Sequence, residues 1–126
     1  MRHPVGMNER SFAWPCFLFA HLALLVVAEV LATCGLFPSG LFQPPIDKIG
    51  HLFAYGVLTF LALRSFGGRR RWPVVLTLLV LATIDEFSQR AFKTRTFDLG
   101  DLAMNVVGIC AFAVLAGGWR TGTAER

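Results

Sequence analysis

The chain has 126 residues, 55% of them hydrophobic and 16% charged, with a formal net charge of +4 and a mean hydropathy of +0.58. This length allows one domain, and the apolar content is too high for an ordinary soluble one, whose helices carry polar outer faces. The excess of Lys and Arg is explained below by membrane topology, so nucleic acid is not an expected partner.

The first element is the run Phe12 to Phe37, 26 residues with one formal charge, Glu29. About 20 apolar residues cross a bilayer's hydrocarbon, so the run predicts a spanning helix over about 12–36. The stretch "FPSGLFQPP" (37–45) breaks it with three prolines and a glycine. A second apolar helix is predicted over 46–65 and is closed by "GGRRR" (67–71). The third apolar run, Trp72 to Ile84, is only 13 residues long. That is roughly 20 Å of helix against about 30 Å of hydrocarbon, so the helix must extend to about residue 90 through Asp85, Glu86 and Gln89. The fourth helix is predicted over 98–119. Continuous apolar runs without alternation exclude a β-barrel. The expected fold is all-α, a membrane-embedded four-helix bundle forming a single domain over 1–126, with no linker or repeat.

Charge orients this bundle. Eight of the Lys and Arg residues lie in the termini, at Arg64 and in the 67–71 turn, whereas four lie in the other two connections. The positive-inside rule places both termini in the cytoplasm of a multi-pass membrane protein.

Carboxylates lowered into a bilayer cost a few kcal/mol each unless paired or wetted, so Asp85 and Glu86 predict a protein-lined polar pocket. Other helices carry polar groups at the same depth. Asp47, His51 and Tyr55 recur every four residues on the second helix, and Asp98, Asp101 and Asn105 share one face of the fourth. Glu29 falls in the same half of the first helix, and Arg95 lies on the connection above the pocket.

The stretches "DKIGHLFAYGVL" and "EFSQRAFKTRTFDLGDLAMNVVG" resemble the VanZ-like family, small bacterial membrane proteins named for a member associated with teicoplanin resistance. The matching positions are Asp47, Lys48, His51, Tyr55, Glu86, Gln89, Arg95, Asp98, Asp101, Asn105 and Gly108, so the resemblance covers about residues 46–112. Two departures stand out: Lys93 and Thr94 replace a frequent Pro-Gly, and Phe112 replaces a second small residue. The resemblance implies a cell-envelope role but supplies no reaction.

Three functional classes remain. In a non-catalytic binding module the matched polar residues, Asp47 through Asn105, hold the headgroup of a membrane lipid or of a lipid-linked wall precursor, with a link to glycopeptide resistance. In an enzyme acting on lipid-linked envelope intermediates, Glu86, Asp101 and His51 are the candidate acids and bases and Arg95 grips an anionic headgroup. In an ion or proton pathway Glu29 and His21 would be relays. No cofactor is expected. The acidic spacing matches no dedicated metal signature, so an ion-pair network with Lys48, Arg90 and Arg95 is the expectation in place of a bound metal. His21 is expected to be a hydrogen-bonded interior residue, Ser88 a backbone-bonding one, and Lys48 an interface anchor. Cys16, Cys34 and Cys110 are expected to be free thiols. "LATC" (31–34) resembles a lipoprotein cleavage box, but Thr33 before the cut and the length of the run disfavour processing. The oligomeric state is not legible.

Overall fold

The computed structural model describes residues 9–38, 40, 43–67, 70–91 and 97–118. They form four α-helices, α1 (Glu9–Thr33), α2 (Ile46–Phe66), α3 (Arg71–Ser88) and α4 (Leu99–Gly118), and a 3-10 turn, Gln89–Ala91, continues α3. No strand occurs among the described residues. Each helix holds a segment long and apolar enough to cross a membrane: Ala13–Thr33, Ile46–Phe66, Arg71–Ala91 and Leu99–Gly117.

α1 stops three residues short of the predicted end, and Gly35 is the cause. It sits at φ +68°, its N–H donates to Ala32 O at 3.0 Å, and the Leu36 N–H reaches back to Leu31 O at 2.9 Å. This paired closure satisfies carbonyls that would otherwise be orphaned, and glycine adopts the left-handed conformation at little cost. α3 runs through its acidic segment as expected, ending at Ser88 with the tighter turn beyond.

α2 and α4 share the most extensive interface, α1 lies mainly on α2, and α3 rests chiefly on α4. Two glycines allow the central pair to approach. A Cβ on Gly108 would run into the Leu52 carbonyl oxygen and stand 3.2 Å from the Gly56 nitrogen; one on Gly56 would meet the Phe112 ring at 2.5 Å. Phe112 therefore lies on a bare stretch of α2, with Phe53 packed edge-on at 6.1 Å. The large residue at position 112 is accommodated by the missing side chain at 56.

Leu58, Leu61, Ala62, Leu78, Ala82, Ile109 and Ala113 fill the interior. The outer surface is equally apolar: Phe19, Leu36, Trp72 and Leu99 are each about 70% exposed. Such a surface suits hydrocarbon as its solvent, because lipid tails impose no cost on exposed apolar groups. α1 is the extreme case, with 11% of its most apolar window buried. A polar contact ties it to α2: His21 Nε2 donates to Ala54 O at 3.0 Å.

The candidate polar site

The helices alternate in direction, so the start of α2, the end of α3 and the start of α4 meet at one end of the bundle, where the sequence places its carboxylates. Lys48, on the first turn of α2, bridges two acids of α4: its ammonium lies 2.8 Å from Asp98 Oδ2 and 3.0 Å from Asp101 Oδ1. One turn deeper, His51 Nδ1 is 3.1 Å from Asn105 Oδ1, and Nε2 is 3.8 Å from Asp101 Oδ2. A further turn down, the Tyr55 hydroxyl donates to Asp85 Oδ2 of α3 at 3.1 Å. Lys48, His51 and Tyr55, three and four residues apart on one face of α2, thus form a ladder whose rungs go to α4, α4 and α3 in turn.

α3 supplies the floor. Glu86 is fully buried, and its Oε1 accepts the Asp98 backbone N–H at 2.9 Å, fastening the start of α4 to α3. Gln89, three residues later, is 2% exposed, and Asn105 is fully buried. Among the described residues, Glu86 Oε2, Gln89 Nε2 and Asn105 Nδ2 have no protein partner. The rim is wetter, with the Asp98 side chain 46% exposed. The Lys48 ammonium, together with the Gly100 N–H, holds the Asp98 carboxyl below the usual aspartate range. A depressed carboxyl contributes above its ordinary titration range and is lost only as the pH falls through the lowered value, so this rim pair is intact at neutral pH.

Of the residues singled out in the sequence, Lys48, His51, Glu86, Asp98, Asp101 and Asn105 converge directly, with Gln89 buried one turn beyond Glu86. Tyr55 joins through Asp85. Asp47 does not enter the ladder: its Oδ1 accepts the Lys48 backbone N–H at 2.8 Å, a local contact at the helix start. Arg95 lies outside the described residues. The expected ion-pair network is corrected at Arg90, whose guanidinium covers the rings of Phe97 at 4.2 Å and Phe87 at 5.0 Å. Glu29 lies on α1, four residues before its end at Thr33. Ser88 donates to Asp85 O at 2.7 Å, a backbone contact. Asp85 was missed as a site residue because the matched pattern skips it; its place one residue before Glu86 in a short apolar helix was the available signal.

The opposite end of the bundle has a cleft of about 290 Å³ lined by Trp14, Leu63, Arg64, Arg71 and Ala113, among others. Arg64 stacks over Trp14 at 4.9 Å, and Arg71 donates to Ala113 O at 3.3 Å. Its described lining includes the guanidinium-bearing Arg64 and Arg71, whereas the carboxylates and the His51 imidazole of the ladder lie at the other end.

The sequence model of the VanZ/LLP1 family matches residues 7–120. The chain belongs to the VanZ/LLP1 family. The converging residues of α2, α3 and α4 all fall inside the matched VanZ/LLP1 region. The chain is 34% identical over 98 residues to "Uncharacterized protein C11E3.10" of the fission yeast Schizosaccharomyces pombe, a match covering 75% of this chain and 60% of that protein. It thus spans less than two thirds of the relative's length, and VanZ/LLP1 resemblance is not confined to bacteria. No solved structure matches the chain.

Proposed function

We propose that the carboxylate-rich end of the bundle binds a polar lipid headgroup entering from the outer face of a bacterial cytoplasmic membrane, with both termini on the inner side. The observation that carries this reading is the pairing of a partly exposed rim, Lys48 and Asp98, with a buried floor whose Glu86, Gln89 and Asn105 each keep one polar atom without a protein partner among the described residues. An unsatisfied buried polar group costs about 1–3 kcal/mol. A phosphate with neighbouring hydroxyls offers acceptors to the two amide N–H groups and a donor to the carboxylate. A fission yeast relative favours a membrane lipid over a wall precursor that only bacteria make. A change in envelope susceptibility, including to glycopeptides, follows if the headgroup belongs to the envelope.

The approach of His51 to Asp101 at 3.8 Å, beside buried Glu86, favours a second reading, in which the same site performs acid–base chemistry on the bound lipid. The two readings differ in turnover, not in location.

Two measurements test the proposal. Reporter fusions at Arg126 and in the 67–71 turn should read as cytoplasmic and one at Lys93 as external; an external C-terminus would reverse the assigned face. In nanodiscs, a phospholipid with a photoreactive group on its headgroup should label peptides spanning 47–55 and 98–105, and Lys48→Met should reduce labelling several-fold. Labelling confined to the lipid-facing surface of α1, unchanged by Lys48→Met, would rule the headgroup site out.

A further inference from the structure

His51, Glu86 and Asp101 each offer one ligand atom, and these atoms lie within 4.8 Å of one another. In each residue the other heteroatom is already engaged. His51 Nδ1 is matched with Asn105 Oδ1 at 3.1 Å, Glu86 Oε1 accepts the Asp98 N–H at 2.9 Å, and Asp101 Oδ1 accepts from Lys48 at 3.0 Å. His51 Nε2, Glu86 Oε2 and Asp101 Oδ2 are left over. Glu86 is fully buried, yet its Oε2 has no partner among the described residues.

This division of labour is how proteins present ligands to a metal ion. The outer heteroatom of a ligating histidine donates to a carbonyl, which fixes the tautomer and turns the other nitrogen's lone pair inward, and ligating carboxylates are likewise held from behind. With Asn105 Oδ1 beside Nδ1 at 3.1 Å, the tautomer that donates from Nδ1 leaves the Nε2 lone pair facing Asp101. We infer that a divalent metal ion of the Mn²⁺ or Zn²⁺ type binds between His51 Nε2, Glu86 Oε2 and Asp101 Oδ2.

Two further considerations support the ion. Donors around one such ion stand roughly 3–4 Å apart when its bonds are about 2.1 Å, so a separation of up to 4.8 Å needs to contract by roughly 1–2 Å. Charge balance points the same way. Asp47, Asp85, Glu86, Asp98 and Asp101 gather at this end, and Lys48 is the ammonium paired with them among the described residues. An uncompensated carboxylate in a low-dielectric site is costly, and a divalent ion supplies the missing positive charge. One imidazole and two carboxylates make a mixed nitrogen and oxygen set suited to Mn²⁺ or Zn²⁺, without the thiolates that select softer ions.

The ion also deepens the headgroup reading: an acidic floor repels a phosphate, whereas a metal with open positions attracts one. The ion itself does not depend on that reading.

The test uses the full chain, purified in detergent, stripped with a chelator, dialysed and titrated with Mn²⁺ alone, with Zn²⁺ as the second probe. Wild type should bind about one equivalent. His51→Ala, Glu86→Gln and Asp101→Asn should each weaken binding roughly ten-fold or more, whereas Asp47→Asn, outside the cluster, should not. Electron paramagnetic resonance of bound Mn²⁺ should show coupling to a ligand nitrogen that disappears in His51→Ala. Helix content and monodispersity identify variants that fail to fold, and Glu86→Gln, nearly isosteric, keeps the comparison open if His51→Ala is lost. No binding of either ion by wild type, or equal binding by wild type and Glu86→Gln, overturns the inference. If headgroup labelling persists in the first case, the lipid reading survives without the metal. If Mn²⁺ binds but no headgroup is labelled, the metal site stands and the lipid reading falls.

Discussion

Gly108→Val is expected to separate α2 from α4 and to abolish the polar site with them. The new side chain would start where the Leu52 carbonyl stands, and the next neighbour, the Gly56 nitrogen, is also backbone. No rotamer change relieves a clash with a helix axis, so the helices must move apart. Overpacking a close interface typically costs about 1–3 kcal/mol, and a β-branched residue against backbone belongs at or above the top of that range. Asn105 lies one turn from Gly108, so the shift also stretches its contact with His51. Thermal unfolding in detergent should show a large loss for Gly108→Val and a smaller one for Gly108→Ala. Gly50→Ala, where an added Cβ meets nothing within 4 Å, should be neutral. Equal stability of Gly108→Val and wild type would mean that the α2–α4 approach is looser than described.

The second large effect is functional. Glu86→Gln and Asp101→Asn should fold and insert normally, with stability within about 1 kcal/mol of wild type, yet lose whatever envelope phenotype the wild type confers. The geometry explains the expected tolerance. Glutamine keeps an oxygen for the Asp98 N–H, asparagine keeps one for Lys48, and each amide removes the desolvation cost of a buried charge. A purely architectural cluster would accept such changes without consequence, whereas one that holds a cation or moves a proton needs the charge itself. Full complementation by both variants in cells lacking the native protein would reduce the cluster to a structural tie.

Much of this arrangement is legible in the sequence because membranes impose simple rules. Four long apolar runs, separated by proline, glycine and arginine, can form little other than four helices, and the acidic extension of a short third run required a polar interior. The four-residue repeat of Asp47, His51 and Tyr55 placed them on one face, but spacing alone gives no partner. Thus Asp47 turned back to its own helix, and Tyr55 found Asp85. Formal charge suggests an ion pair for Arg90, but its guanidinium covers two phenylalanine rings and makes no ion pair among the described residues. The end of α1 was overrun because apolar Leu36 and Phe37 hid the conformational signal of Gly35. The contact between Phe112 and Gly56 joins residues far apart in sequence, so neither position announces the other.

That contact has an evolutionary consequence. With Phe112 in place, a methyl group at position 56 would overlap the ring, and Phe53 packs edge-on against that ring. A lineage that first reduces Phe112 to a small residue opens space at position 56, and alanine there then becomes acceptable. The reverse order passes through an overpacked intermediate. The two positions are therefore sterically coupled: while Phe112 is in place, any side chain at 56 must displace its ring.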